Sequence, residues 1–197
     1  MRVYITGVSC VGKTTIGKKL AELLNYPFFD LDKEIESYFG KPLERLQAEY
    51  LTMYSFRMIA SEALKHLLDQ EDSNNSIIVL PPSGLMHPYY RFIKKTEKIV
   101  IFLKDDPRNI LARITFYDKD SNPIVKHLSA NEKESYLKKI KKDINYFGRM
   151  SNKADLAVDI RGLGAEESAK KVKKSLAPLL SGIYRRSTEK AEAKHLS

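Results

Sequence analysis

A chain of 197 residues is long enough for one compact domain with a full core and short for two. A hydrophobic fraction of 43% with 30% charged residues fits an ordinary globular fold, and no apolar run is long enough to span a bilayer. The net charge of +9 suits a protein that handles anions; Lys138, Lys139, Lys141 and Lys142, then Lys170, Lys171, Lys173 and Lys174, fall at helical spacing and not in an aromatic and basic stripe, so neither nucleic acid nor a membrane is expected as a partner.

Val3-Tyr4-Ile5 is a β-branched and aromatic run ending at Thr6-Gly7, which predicts a buried strand. A strand from Arg2 leaves no room for a leader, and the single cysteine, Cys10, cannot form an intrachain disulfide; both lead us to expect a cytoplasmic protein. From Lys13, Ile16, Leu20, Leu23 and Leu24 share one face of a helix that Asn25-Tyr26-Pro27 stops. Phe28-Phe29 predicts a short strand and 33–39 a helix, with Pro42 suited to the first turn of another short helix. Phe56, Ile59, Ala60, Ala63, Leu64 and Leu67 mark a helix over 53–68. Residues 77–80 read as a buried strand ended by Pro81-Pro82-Ser83-Gly84, and 99–103 as another. Pro107 opens a helix, whereas 116–128 has no clear period and carries turn residues at 118–123. Ser129 and Glu132 form a capping-box pattern for a helix to about Phe147. Leu156-Ala157-Val158 is the last strand, followed by a helix from about Ala165 that ends near Gly182.

Strands alternating with helices imply an α/β fold whose parallel sheet is covered on both faces. Ligands of such sheets bind beyond the carboxyl ends of the strands. Three candidate segments follow a strand directly: 7–14, Asp30 with Asp32, and 81–84.

Gly7-Val8-Ser9-Cys10-Val11-Gly12-Lys13-Thr14 matches the phosphate-loop pattern G-x-x-x-x-G-K-[ST], between a strand and an amphipathic helix as that motif requires. The glycines let successive amides surround an anion, the helix N-terminus adds positive potential, Lys13 reaches the β- and γ-phosphates, and the Thr14 hydroxyl can bind Mg²⁺. ATP is the expected ligand, with Thr15 next to these residues in its site. Cys10 reads as a spacer or as a thiol activated by the helix end. Asp30 and Asp32, two apart in an extended backbone, would face the same side, one toward Mg²⁺ and one toward a substrate hydroxyl; on spacing alone a solvated acidic turn explains them equally well.

Phe29-Asp30-Leu31-Asp32-Lys33-Glu34-Ile35-Glu36, then Gly40-Lys41-Pro42-Leu43 and Phe56-Arg57, resemble the segments that follow the phosphate loop in shikimate kinases. The resemblance implies a three-layer α/β/α P-loop kinase fold with about five parallel strands. One domain would cover 1–184, with a substrate-binding segment at about 31–68, a lid at about 115–128 and a polar tail at 185–197. It implies that Asp30 and Thr14 serve the metal, that Lys13 and Asp32 are catalytic, that Arg57 grips a substrate carboxylate with Gly84 nearby, and that Arg113 lies near the nucleotide.

Later motifs depart from the family. Pro82-Ser83-Gly84-Leu85 stands where a glycine-rich turn is usual, and Asn122-Pro123-Ile124 replaces the lid's arginine-bearing segment, leaving Arg113, Lys119 or Lys126 as substitutes. Tyr146 stands where a second substrate arginine is expected, with Arg149 close by. The reading is ATP- and Mg²⁺-dependent phosphorylation of a small hydroxylated acid, shikimate first, by a monomer. The alternatives are another small acid or nucleotide as acceptor, or a nucleotide-binding module without the reaction.

Overall fold

The computed structural model describes residues 1–120 and 122–195, with side chains through 182. Five strands form one parallel sheet, β1 (Arg2–Thr6), β2 (Phe28–Asp30), β3 (Ser76–Val79), β4 (Lys98–Lys104) and a last strand at Leu156–Asp159, in the order β2-β3-β1-β4-last. β1 is central, with Ile5 beside Val79 on one side and Ile101 on the other. Alternation along β1 divides the core. Val3 and Ile5 face a layer containing Ile16, Leu20, Ile140, Val172 and Leu176; Tyr4 faces a layer containing Leu31, Phe56, Leu64, Leu67 and Ile93. These strands read as continuous apolar runs because both faces are covered.

Helices α1 (Lys13–Leu24), α2 (Leu31–Phe39), α3 (Leu43–Ala48) and α4 (Met53–Asp69) follow the expected order. The structure adds α5 (His87–Ile93), which the sequence reading left unassigned, and confirms α6 (Pro107–Ala112). The aperiodic stretch is a small antiparallel hairpin, β5 (Phe116–Tyr117) with β6 (Pro123–Ile124), whose tip is shaped by Asp118 Oδ1 accepting from the amides of Asp120 and Asn122. The capping box holds: the amide of Ser129 donates to Glu132 Oε2 at 2.9 Å and the amide of Glu132 to Ser129 Oγ at 3.3 Å, opening α7 (Ala130–Gly148). The last strand is β7. The final helix, α8 (Ala165–His195), runs on past the expected end at Gly182; the side chains of the expected tail lie outside the described residues. No helix among the described residues is long and apolar enough to cross a membrane.

Parallel pairing puts the ends Thr6, Asp30, Val79, Lys104 and Asp159 on one edge of the sheet, so the candidate segments converge. α1 reaches that edge lying flush on the sheet because Gly17 faces it: a Cβ there would stand 2.7 Å from Val79 Cγ2 and 3.0 Å from the Phe28 ring. Overfilling such a contact costs about 1–3 kcal/mol. Gly17→Val is expected to lower the unfolding free energy by about 3 kcal/mol, read from the urea midpoint with its slope unchanged.

Candidate active site

β1 turns into α1 through a loop with φ of +146° at Gly7, +58° at Cys10 and +103° at Gly12. Gly7 also lacks room for a side chain, since a Cβ would stand 2.8 Å from the Leu103 carbonyl oxygen. No side chain caps α1 and no acidic residue lies in its first turn, so its amides are open to an anion. Lys13 Nζ crosses the loop, donating to the carbonyl oxygens of Val8 at 2.9 Å and Gly7 at 3.2 Å. Burial pulls its pKa below the usual lysine value, opposed by Asp32, Cys10 and Asp30. Ser9, Cys10, Gly12, Lys13, Thr14 and Thr15 line a cavity of about 1000 Å³. Gly7, Val8 and Val11 do not; Val8 and Val11 are buried in the core and reach a ligand only through their main chain.

Asp30 and Asp32 both line this cavity, but not for the reason of extended alternation. Asp30 ends β2 and caps α2, and Asp32 already lies in the first turn of that helix. One Asp30 oxygen accepts from the Asp32 amide at 3.1 Å; the other accepts from the Thr14 hydroxyl at 2.6 Å. Hard oxygens from a hydroxyl and a carboxylate on adjacent elements are a donor set that can hold Mg²⁺, which usually takes one or two carboxylates and fills the rest of its shell with phosphate and water. Burial first, then the charge of Asp30, raises the Asp32 pKa to about 6, against the pull of Lys13.

Arg57, on α4, borders the same cavity. Its Nε is buried without a hydrogen-bond partner, and no carboxylate pairs with its guanidinium among the described residues. An unpaired guanidinium facing a cavity is a ready carboxylate site. Tyr89 is 1% exposed yet lines the cavity, its phenol pKa raised by burial and then by Asp32. Tyr146 lines it and Arg149 does not, so no register shift brings that arginine in. Gly84 is also absent from the lining: it packs against Leu80, and Pro81, Pro82 and Ser83 border the space instead.

Of the substitutes for a lid arginine, only Arg113 lines the cavity. Lys126 pairs with Glu132 at 3.2 Å and lies over the rings of Phe116 and Tyr136. Arg113 Nη1 donates to Asp105 Oδ2 at 2.5 Å and to the Val11 carbonyl oxygen at 3.4 Å. Asp105 was missed in the sequence; its signal is an acidic residue at the carboxyl end of a strand, directly after β4 as Asp30 is the last of β2. Tyr117 of the hairpin lines a cavity of about 510 Å³ with the acidic pair, and an Arg45–Asp120 ion pair joins the hairpin tip to α3.

A family model described as shikimate kinase matches residues 9–177. A shikimate kinase of Chlorobium limicola is 32% identical over 169 residues, covering 83% of this chain and 81% of that protein. The crystal structure of shikimate kinase from Aquifex aeolicus has a TM-score of 0.66 at 27% identity, covering 90% of this chain and 96% of that one. A shikimate kinase from Acinetobacter baumannii in complex with shikimate shares the fold, with a TM-score of 0.66 at 24% identity over 92% of this chain and 93% of that one.

The raised pKa of Asp32 carries a stability cost. In the unfolded chain the group titrates near 3.8 and in the folded chain near 6, so its ionised form opposes folding. The cost is absent below about pH 4, where both states are protonated, and complete above about pH 6. Asp32→Asn is therefore expected to raise the thermal midpoint at about pH 7.5, by an amount that shrinks toward pH 4; a difference independent of pH would show that burial costs this carboxylate nothing.

Proposed function

This chain belongs to the shikimate kinase family, and we propose on that basis that it transfers the γ-phosphoryl of ATP to a hydroxyl of shikimate, giving shikimate 3-phosphate. The observation that carries the reading is the 2.6 Å contact between Thr14 of the phosphate-loop helix and Asp30, with Asp32 beside it in the cavity that Arg57 enters.

The loop amides and Lys13 hold the nucleotide's phosphates, and the lysine leaves its internal carbonyl partners to do so. Mg²⁺, when bound at Thr14 and Asp30, supplies neutralisation of charge on the transferring group. Asp32 accepts a hydrogen bond from the acceptor hydroxyl. It takes that proton as the oxygen bonds to the γ-phosphorus and the bond to the departing ADP oxygen breaks. With a pKa of about 6 it is ionised at neutral pH and still basic enough to receive the proton. Arg57 pairs with the acceptor's carboxylate, fixing which hydroxyl meets Asp32. Tyr89, Phe56 and Tyr146 supply walls for a ring. The hairpin serves as the lid, and α2 to α4 as the acceptor-binding segment. The proposed working unit is a monomer.

Release of ADP measured with shikimate, gluconate or nucleoside monophosphates as acceptor tests the reading. Turnover is expected with shikimate. ATP binding by calorimetry without transfer to shikimate at about millimolar concentration would instead identify a module that has lost the reaction. A charged hydrogen bond contributes about 1.5–3 kcal/mol, so Arg57→Ala is expected to raise the KM for shikimate about 10- to 100-fold while ATP affinity stays as in the parent.

A further inference from the structure

We propose that Asp105 is a positioning residue for the nucleotide, acting by setting the Arg113 guanidinium against the phosphate loop before ATP arrives; the proposal rests on the ATP site described above. The Asp105 side chain is fully buried, whereas Arg113 is about one-third exposed at 36%. A buried carboxylate is costly unless paired and fully hydrogen-bonded, and a well-packed apolar replacement is often no less stable. What this carboxylate adds is therefore geometry. Oδ1 accepts from the Asp106 amide at 2.7 Å and from Asn109 Nδ2 at 2.8 Å, leaving Oδ2 aimed at Arg113.

The pair spans α6 from end to end. Asp105 precedes its N-cap and Arg113 is its C-cap, so the arginine cannot turn outward without abandoning a buried charge. Its Nη1 is held between Asp105 and the Val11 carbonyl, and its other nitrogens have no partner among the described residues. Arg113 borders the cavity together with Ser9, Cys10 and Thr15. It also borders a recess of about 110 Å³ that holds Ser168, whose buried hydroxyl is likewise unpartnered. Arg161, the nearby alternative cation, is occupied by Asp159 at 2.5 Å. Among the described residues, Arg113 is thus the guanidinium of the cavity lining that a carboxylate holds in place; Arg57, the other arginine of the lining, has no such partner.

The test measures ATP affinity by calorimetry without acceptor, then KM for ATP and for shikimate, in D105N, R113A and the double variant. The calorimetric arm needs no turnover, so it reports on this proposal even if shikimate proves not to be the acceptor. D105N is expected to weaken ATP binding about tenfold, with the KM for shikimate unchanged and no further loss when added to R113A. Parent-like ATP affinity in D105N overturns the proposal. So does a loss of the same size in the R113A background, which would make Asp105 a brace for α6 alone. Should D105N fail to fold, Arg113→Lys, which keeps the charge and loses the fork, is expected to bind ATP about tenfold more weakly; parent-like affinity there overturns the proposal as well.

Discussion

The carboxylate of Asp30 is the joint on which the site is built. It ends an edge strand, caps the helix that follows, and accepts from a threonine in the first turn of a different helix. Capping turns the backbone from strand to helix within one residue, which brings Asp32 round into the interior. There it meets two consequences of burial together. Desolvation and the neighbouring Asp30 charge favour its protonated form, while Lys13 opposes them. The same environment pulls Lys13 the other way. A base and a cation, each moved toward neutrality by lost water, are the state in which a returning ligand charge gains most.

The parallel sheet was legible because its strands are apolar on both faces, and the phosphate loop because its glycines and lysine have fixed spacing. The acidic pair was found for a partly wrong reason: alternation in a strand predicts the right side for Asp32, but the capping bond has already begun a helix. α5 was missed because a seven-residue segment rich in rings and carrying Pro88 shows no helical period. The hairpin at 116–124 was missed because two-residue strands have no period at all. Asp105 illustrates a more general limit. A carboxylate that steadies an arginine eight residues on is visible only once α6 brings them together.

The departures from the family's later motifs concentrate where the cavity's charge is set. With Tyr146 in the wall and Arg149 outside it, Arg57 is the cation that faces the acceptor end. With Lys126 tied to Glu132, the hairpin contributes the phenol of Tyr117 and, among the described residues, no cation to the lining around the acidic pair. The cations of the cavity lining sit on packed helices: Lys13 on α1, Arg57 on α4, Arg113 at the end of α6. Of these, Arg113 is already held by Asp105 and reorganises little when a ligand arrives, which favours electrostatic stabilisation over recruitment by closure.

The Arg45–Asp120 bridge between α3 and the hairpin tip has a kinetic meaning. Both partners are partly exposed, at 53% and 37%, and such pairs contribute only about 0–1 kcal/mol. A clasp of that size exceeds thermal energy by a factor of about two at most, so it parts spontaneously for an appreciable fraction of the time. For a hairpin in the proposed role of lid, a bridge this weak is a guide and not a lock, and it is blunted further as ionic strength rises.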